Sequence, residues 1–410
     1  AYGIIALVTV FTTILQVFVD SGMANALIQK KDADDLDFST VFFFNIAICA
    51  VLYIGIFFAA PLIAKFYEQP ELIAVVRVLC ITVIISGIRN VQQAYVSKTM
   101  QFKRFFFSTI GGTIVSAIVG IVMAYLDFGV WALVAQQIFN VAVGTIILWI
   151  TVKWRPKRMF SFQRLKGLFS YGWKLLAASL LDRVYNELRS LIIGKMYSSA
   201  DLAYYNRGNQ FPNVIVSNIN TSIDSVLLPT MSAEQEHKER VRAMTRRAIK
   251  TSTYIMMPLM VLLAICAEPV VRILLTETWL PCVPFLRIFC FTYALYPIHT
   301  ANLNAIKAMG RSDMFLKLEI IKKIIGLIAL VSTMWFGVIW MAYSLLFTSV
   351  ISSMINAFPN RKLLKYSYRN QIKDMLPQII LSCVMGIIVY CVQFIDLYDV
   401  LTLIIQVLLG

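Results

Sequence analysis

Charge is what this chain has least of. Only 14% of its 410 residues are Asp, Glu, Lys or Arg, whereas a water-soluble domain carries about a quarter. Histidine is scarcer still. His237 and His299 are the whole supply, which excludes a histidine-rich metal centre. The seven cysteines are Cys49, Cys80, Cys266, Cys282, Cys290, Cys383 and Cys391. They sit mostly inside apolar stretches and never as Cys-x-x-Cys, so they read as small core hydrophobes rather than a disulfide framework or a zinc site. No phosphate-cradling G-x-x-x-x-G-K-[ST] sequence occurs, so direct use of ATP is excluded. No metal or cofactor is expected. The chain also lacks an initiator Met and a signal peptide. It begins and stops inside apolar stretches, and the expectation is a fragment trimmed at both ends.

What the chain does have is apolar length. Hydrophobic residues make up 59% of it. A hydrocarbon core about 30 Å thick needs roughly 20 apolar residues per helix. Residues 38–64, 105–126, 128–152 and 375–395 contain no charge, and 324–360 is charge-free over enough length for two helices with a turn at Phe336-Gly337. Thirteen segments follow one another: 1–28, 38–64, 72–97, 105–126, 128–152, 168–194, 203–231, 247–267, 279–306, 313–335, 337–359, 375–395 and 398–410. The expected fold is an all-α membrane protein, with about thirteen transmembrane helices here and about fourteen in the intact chain.

The net charge of +15 does not indicate nucleic acid, because the basic residues alternate between loops. Lys30/Lys31, Lys98/Lys103/Arg104, the run from Lys153 to Lys166, Lys238 to Lys250, Lys307/Arg311 and Arg361 to Lys373 fall on one side. The opposite loops hold Lys65, Lys195/Arg207 and Arg272, and none at Asp127, Phe336-Gly337 or Asp396–Asp399. By the positive-inside rule the first set is cytoplasmic. The external loops are short, and none carries a G-x-S-x-G, H-E-x-x-H or DxD-like cluster. The basic stretch 153–168 interleaves Trp154, Phe160, Phe162 and Phe169 and reads as a charged loop or an amphipathic segment on the inner membrane face.

An internal repeat accompanies the topology. Ala60-Pro61-Leu62-Ile63 returns as Glu268-Pro269-Val270-Val271 and Phe128-Gly129-Val130 as Phe336-Gly337-Val338, both 208 residues later; Lys98-x-Met100 returns as Lys307-x-Met309, at 209. Six helices per repeat is an even number, so the two lobes are parallel repeats related by an axis along the membrane normal. The expected domains are an N-lobe at 1–152 lacking its first helix, a cytoplasmic linker at 153–168, a C-lobe at 169–359, and two additional C-terminal helices at 360–410.

Several segments are too polar for lipid. Thr82, Ser86, Arg89 and Gln93 share one helical face. So do Ser179, Asp182, Asn186 and Arg189, with Arg183 and Glu187 beside them as an i, i+4 pair, and so do Asn213, Ser217, Asn220 and Asp224. Thr292, Tyr296 and His299 form a fourth stripe, with Asn302 adjacent. Ionisable groups at bilayer depth face a bundle interior or water. The expectation is a hydrated cavity whose substrate-binding residues are Arg89, Gln93, Arg183, Asn186, Arg189, Asn213, Asn220, His299 and Asn302. The cations would attract an anion and the amides and hydroxyls a sugar; the alternative is that these groups bond one another to hold the helices together. Asp20, Asp182 and Asp224 are candidates for a coupling H⁺ or Na⁺, with a turn cap at Ser21-Gly22 as the alternative for Asp20.

Val19-Asp20-Ser21-Gly22 followed by Ala26-Leu27-Ile28-Gln29-Lys30-Lys31 resembles a stretch of the bacterial polysaccharide flippases (Wzx-type transporters). Ile192-Ile193-Gly194-Lys195 followed by Ala203-Tyr204-Tyr205-Asn206-Arg207 is similar to a second, with Ala203 where the family has glycine. The resemblance spans essentially the whole chain. It implies two six-helix lobes, as in the multidrug and toxin extruders of the same superfamily. It also implies an inner-membrane flippase for undecaprenyl-diphosphate-linked oligosaccharide, moved from the cytoplasmic to the periplasmic leaflet by alternating access in lipopolysaccharide or exopolysaccharide synthesis. Its partners would be that lipid, membrane lipid, a coupling H⁺ or Na⁺, and a polysaccharide polymerase with its export machinery. The rival expectations are a drug or cation exporter of the same fold, which calls for an anionic cavity, a membrane polymerase or ligase, which calls for a sizeable external loop, and a scaffold without transport.

Overall fold

The computed structural model describes residues 2–20, 27, 33–99, 101, 103–392 and 399–409, and among these it is helical throughout, with no strand. It falls into two compact units, 1–202 and 203–410. In the first are α1 (Tyr2–Asp20), α2 (Asp35–Tyr67), α3 (Leu72–Leu79), α4 (Ile81–Lys98), α5 (Lys103–Tyr125), α6 (Val130–Thr151) and α7 (Phe162–Met196). The boundary falls in the first turn of α8 (Ser199–Ala233). Then come α9 (Lys238–Ile265), α10 (Ala267–Leu275), a 3₁₀ turn (Glu277–Cys282), α11 (Val283–Ala294), α12 (Tyr296–Ala308), α13 (Ser312–Thr333), α14 (Val338–Leu363), α15 (Tyr368–Cys391) and α16 (Asp399–Leu409). Nine spans among the described residues are long and apolar enough to cross a membrane. The helices α7, α8 and α13 have the length but carry charge or amide groups along it.

Two stretches read from sequence as single segments are broken. Residues 72–97 divide at Cys80 and 279–306 divide at Leu295. Thr82 Oγ1 donates to Leu79 O at 2.6 Å across the first break, so a displaced backbone carbonyl is satisfied without water. Pro297, with no N–H to give, stands at the second position of α12.

The 208-residue repeat is visible in the backbone. Shifting α5 and α6 by 208 gives 311–333 and 338–359, matching α13 and α14. Glu68 ends α2 at φ 57° and its counterpart Thr276 stands at φ 77°; Gly129 precedes α6 at φ 58° and Gly337 precedes α14 at φ 112°. A positive φ at four corresponding corners is a constraint on chain direction that both halves inherit. Glycine meets it without strain at two of them.

Close helix approach in the first unit is set by small residues. A Cβ added at Gly112 of α5 would lie 2.7 Å from Asn140 O of α6. Ser108 Oγ donates to Gly144 O at 2.7 Å in the same seam, the kind of contact that replaces the hydrophobic drive unavailable in lipid. The helix α7 packs on α1 and α2. A Cβ on Gly194 would collide with Leu7 of α1 and come within 3.1 Å of the Tyr67 ring.

The segment between α6 and α7 is folded onto the first unit. Trp154 is buried among Phe38, Phe42, Tyr95 and Leu148, its indole donates to Asp35 Oδ1 at 3.1 Å, and its carbonyl accepts from Gln92 at 3.1 Å. The Lys157 and Ser161 amides donate to Ser39 Oγ and Thr40 Oγ1 at 3.0 and 3.1 Å. The sequence reading grouped Trp154 with Phe160, Phe162 and Phe169. Only the three phenylalanines are exposed, because the indole N–H finds in Asp35 an acceptor that a phenyl ring cannot use.

A methyl-sized addition at Gly112 should therefore be costly and one at Gly55, where nothing lies within 4 Å, should not. We expect Gly112→Val to lose about 1–3 kcal/mol of stability, read as a lowered melting temperature in detergent micelles, with Gly55→Ala unchanged.

Candidate functional site

Each unit carries polar groups at membrane depth, and the neighbours of each group decide what it is free to do. In the first unit the α7 stripe begins in the open. Asp182, Arg183 and Asn186 are exposed near the middle of the stretch 168–194. Asn186 Nδ2 donates to Asp182 Oδ2 at 3.1 Å, and Arg183 pairs with Glu187 at 3.4 Å. One turn on, Arg189 is buried, 8% exposed. Two charges and an amide on an uncovered helix face cannot rest against hydrocarbon, so this face borders water or a polar ligand. At the outer end of α7 the Lys195 ammonium donates to Phe66 O at 2.5 Å, reaches Glu68 at 3.4 Å and lies 4.8 Å from the Phe66 ring. That tie joins α7 to the end of α2.

Arg89 and Gln93 on α4 are half-buried. The Arg89 guanidinium is directed at α6: a Cβ on Gly144 would lie 3.5 Å from its Nη1. The missing side chain at Gly144 thus makes room for a cation inside the unit. Asp20 ends α1, and its side chain lies outside the described residues, as do Ser21 and Gly22.

In the second unit, α8 presents Asn213, Ser217 and Asn218 to the outside and holds Asn220 half-buried. The Asn218 amide donates back to Val214 O at 2.7 Å. Asn220 Oδ1 is buried with no hydrogen-bond partner among the described residues. Beside this face a cleft of about 360 Å³ is lined by Asn218, Ile219 and Ile223 of α8 with Thr251, Ser252 and Ile255 of α9. The side chain of Asp224 lies outside the described residues. Near the start of α8, Tyr205 meets Phe285 and Phe289 edge-on. A Cβ on Gly208 would sit 2.7 Å from Phe285 Cβ.

Three further layers of polar groups lie in this unit. His299 of α12 is bonded by Ser349 and Asn356 of α14. Closer to the end of α12, Asn302 is fully buried and its amide is saturated. Its Nδ2 donates to Gln371 Oε1 at 2.7 Å and to Ile298 O at 2.8 Å, while its Oδ1 accepts from Asn360 at 2.6 Å and Gln371 at 2.9 Å. All of these partners lie within the unit, so Asn302 ties α12, α14 and α15 together. In the third layer Asp374 takes a two-pronged bond from Arg246, 2.7 Å on each side, with Lys250 at 3.2 Å and Tyr366 Oη at 2.9 Å. Burial pushes the Tyr366 phenol up, and the bond to Asp374 and its charge push it further. The hydroxyl therefore keeps the proton it donates, and this part of the stabilisation is lost only as pH rises through the elevated phenol range.

The sequence reading did not single out Asp374, Asn356, Ser349 or the Glu319–Lys322 pair of α13, in which Lys322 Nζ lies 2.6 Å from Glu319 Oε1 and the side chains are 14% and 30% exposed. The signal available was four charges, Lys317, Glu319, Lys322 and Lys323, inside a stretch otherwise apolar enough to span. Among the described residues no group of three or more His, Cys, Asp or Glu side chains is placed to hold a metal.

Two substitutions test these layers. Asn302→Leu strands Gln371 and Asn360 and should cost about 1–3 kcal/mol. Asp374→Asn removes the charge from a carboxylate that serves three donors and should cost about 2 kcal/mol, moderated because Arg246 is half-exposed. Both read as lowered thermal stability with the wild-type helix content retained.

Comparison with known proteins adds a family to this geometry. The family model described as polysaccharide biosynthesis protein matches residues 1–284. The teichuronic acid biosynthesis protein TuaB of Bacillus subtilis is 23% identical over 385 residues, 93% of this chain and 80% of that protein. The lipopolysaccharide biosynthesis protein WzxC of Escherichia coli is 22% identical over 403 residues, 94% and 81% of the two. Among solved structures, the lipid II flippase MurJ in its inward closed conformation matches with a TM-score of 0.78 at 17% identity, covering all of this chain and 91% of that one. An inward-facing multidrug resistance MATE transporter of the MOP superfamily matches at 0.70 and 12%, covering 88% and 89%. These likenesses give the fold, the spans make the protein a multi-pass membrane protein, and the family match over residues 1–284 of 410 places the chain in the polysaccharide biosynthesis protein family.

Proposed function

We propose that this protein is a flippase that carries an undecaprenyl-diphosphate-linked oligosaccharide across the bacterial inner membrane, from the cytoplasmic to the periplasmic leaflet, by alternating access of its two lobes. The observation that carries the reading is the uncovered polar face of α7, where Asp182, Arg183 and Asn186 stand exposed on a helix long enough to span. A hydrophilic head group crossing the bilayer needs such a face, and lipid-exposed packing does not. The family match and the likeness to a lipid II flippase support the lipid-linked substrate. The names of the relatives, teichuronic acid and lipopolysaccharide biosynthesis proteins, support a polysaccharide precursor.

In this reading the diphosphate meets guanidinium groups, which bridge phosphate oxygens in a two-pronged way that an ammonium cannot. Arg183 is the first choice, since its present partner Glu187, 3.4 Å away, is one that a diphosphate carrying more charge can displace. Arg189 and Arg89 are the second and third. Gln93, Asn186, Asn213 and Asn220 are the sugar-facing amides. Asp20, Asp182 and Asp224 remain candidates for a coupling ion, and a polymerase with its export machinery is the proposed consumer of the flipped product.

The test is leaflet exchange of a fluorescent undecaprenyl-diphosphate oligosaccharide in vesicles reconstituted with the protein. Arg183→Ala should slow exchange about 10- to 100-fold, the worth of one charge-assisted contact, with membrane insertion unchanged, and Arg183→Lys should recover part of it. Efflux of small organic cations without any exchange of lipid-linked sugar would overturn the reading in favour of a drug exporter.

A further inference from the structure

The surroundings of His299 fit two protonation states of one ring. Asn356 Nδ2 stands 3.0 Å from its Nδ1, and Ser349 Oγ stands 3.3 Å from its Nε2. Ser349 Oγ in turn donates to Thr292 O at 3.2 Å. An amide nitrogen only donates, so Nδ1 is the bare, accepting nitrogen and Nε2 carries the proton. The other half of the same amide, Asn356 Oδ1, is buried and has no hydrogen-bond partner among the described residues. A buried carbonyl left without a partner keeps its full desolvation penalty and calls for an explanation. A half-turn of the Asn356 side chain supplies one. It exchanges nitrogen for oxygen opposite Nδ1, and that oxygen is the acceptor an Nδ1–H needs. Ser349 goes on accepting from Nε2–H in both states.

Depth and charge point the same way. His299 lies nine residues before the end of α12 and Lys322 ten residues after the start of α13. At 1.5 Å per residue these are about 14 and 15 Å from ends that the positive-inside pattern assigns to the cytoplasm, close to half of a core about 30 Å thick. Lys322 stands at the same depth on the helix that packs beside α12 and is itself held by Glu319. The other groups around the ring are Tyr296, edge-on at 5.7 Å between centroids, and Tyr293 behind it at 5.0 Å. The helix α14 contributes Ser349 and Asn356 to the ring. The helix α9 also packs on α12, and its deepest cations, Arg246 and Lys250, are bound by Asp374.

We propose that His299, caged by Asn356 and Ser349 and biased by the Glu319–Lys322 pair, is a proton-binding site through which a proton gradient is coupled to transport. The coupling rests on the flippase reading; the protonation itself does not. The Nδ1 lone pair takes a proton from water to give an imidazolium, Asn356 turns to accept from it, and the same proton returns to water on unloading. Loading places a second positive charge at the depth of Lys322, part of whose charge Glu319 neutralises.

The experiment uses the full chain with His237→Gln, which leaves one imidazole. Nitrogen-15 side-chain resonances are followed against pH in lipid vesicles. The result expected is an Nε2–H tautomer at neutral pH that converts to imidazolium on acidification. Lys322→Gln should move that conversion to higher pH, and Asn356→Asp, which offers only acceptors, should move it up by about one unit or more. An Nδ1–H tautomer, or a conversion that neither substitution moves, overturns the site. In the exchange assay with an imposed proton gradient, His299→Gln should abolish the gradient's effect while exchange without a gradient persists. Gradient-driven exchange that survives His299→Gln overturns the coupling and leaves the flippase reading standing. A ring that titrates as expected in a protein that exchanges no lipid-linked sugar keeps the proton site and removes the flippase reading.

Discussion

The constraint on which this structure depends is the absence of water from the hydrocarbon core. Every backbone group must be bonded within its own helix, which leaves a helical chain as the available solution here. Every side-chain polar group must find a protein partner or a wet surface. The hydroxyls meet this locally. Thr145, Thr245, Thr292, Thr333 and Ser382 each donate to the carbonyl four residues back. Larger groups meet it in layers, as when Asn302, Asn360 and Gln371 exchange amide bonds with one another. Against that discipline, the exposed Asp182, Arg183 and Asn186 of α7 stand out, and they carry the functional reading.

The two units share a backbone plan and differ in what they fill it with. Corresponding corners at Glu68 and Thr276, and at Gly129 and Gly337, turn the chain with a positive φ in both halves. The first unit joins α5 to α6 through Gly112, Gly144 and Ser108. The helices at the same places in the second unit are α13 and α14. There α13 carries an ion pair, and α14 contributes Ser349, Asn356 and Asn360 to a polar interior. The polar interior of the second unit is where a titratable group can be kept.

Sequence motifs that carry a family resemblance need not carry its chemistry. In the stretch around Ile192-Ile193-Gly194-Lys195, the glycine is a point of close approach between α7 and α1, and the lysine binds the end of α2. In the stretch at Tyr204-Tyr205-Asn206-Arg207, the aromatic rings and Arg207 pack on Trp279, Phe285 and Phe289. Both motifs hold helix ends in place. The residues proposed to meet substrate lie outside both.

The all-α membrane fold, the repeat and its register were legible in the sequence because each rests on local arithmetic. Apolar length is set by bilayer thickness, loop charge by the side of the membrane, and helix period by backbone geometry. The pairing of Arg183 with Glu187 was legible for the same reason, since i and i+4 always meet on one helix. What only the tertiary structure decided is which polar stripe is covered and by what. Arg89 is turned toward Gly144, 55 residues away along the chain. Asn302 is closed off by Gln371, 69 residues away, and Trp154 is drawn into the core by Asp35 and Gln92. A polar group's role depends on the partners that packing brings to it, and a one-dimensional pattern fixes its helix face without fixing what stands opposite.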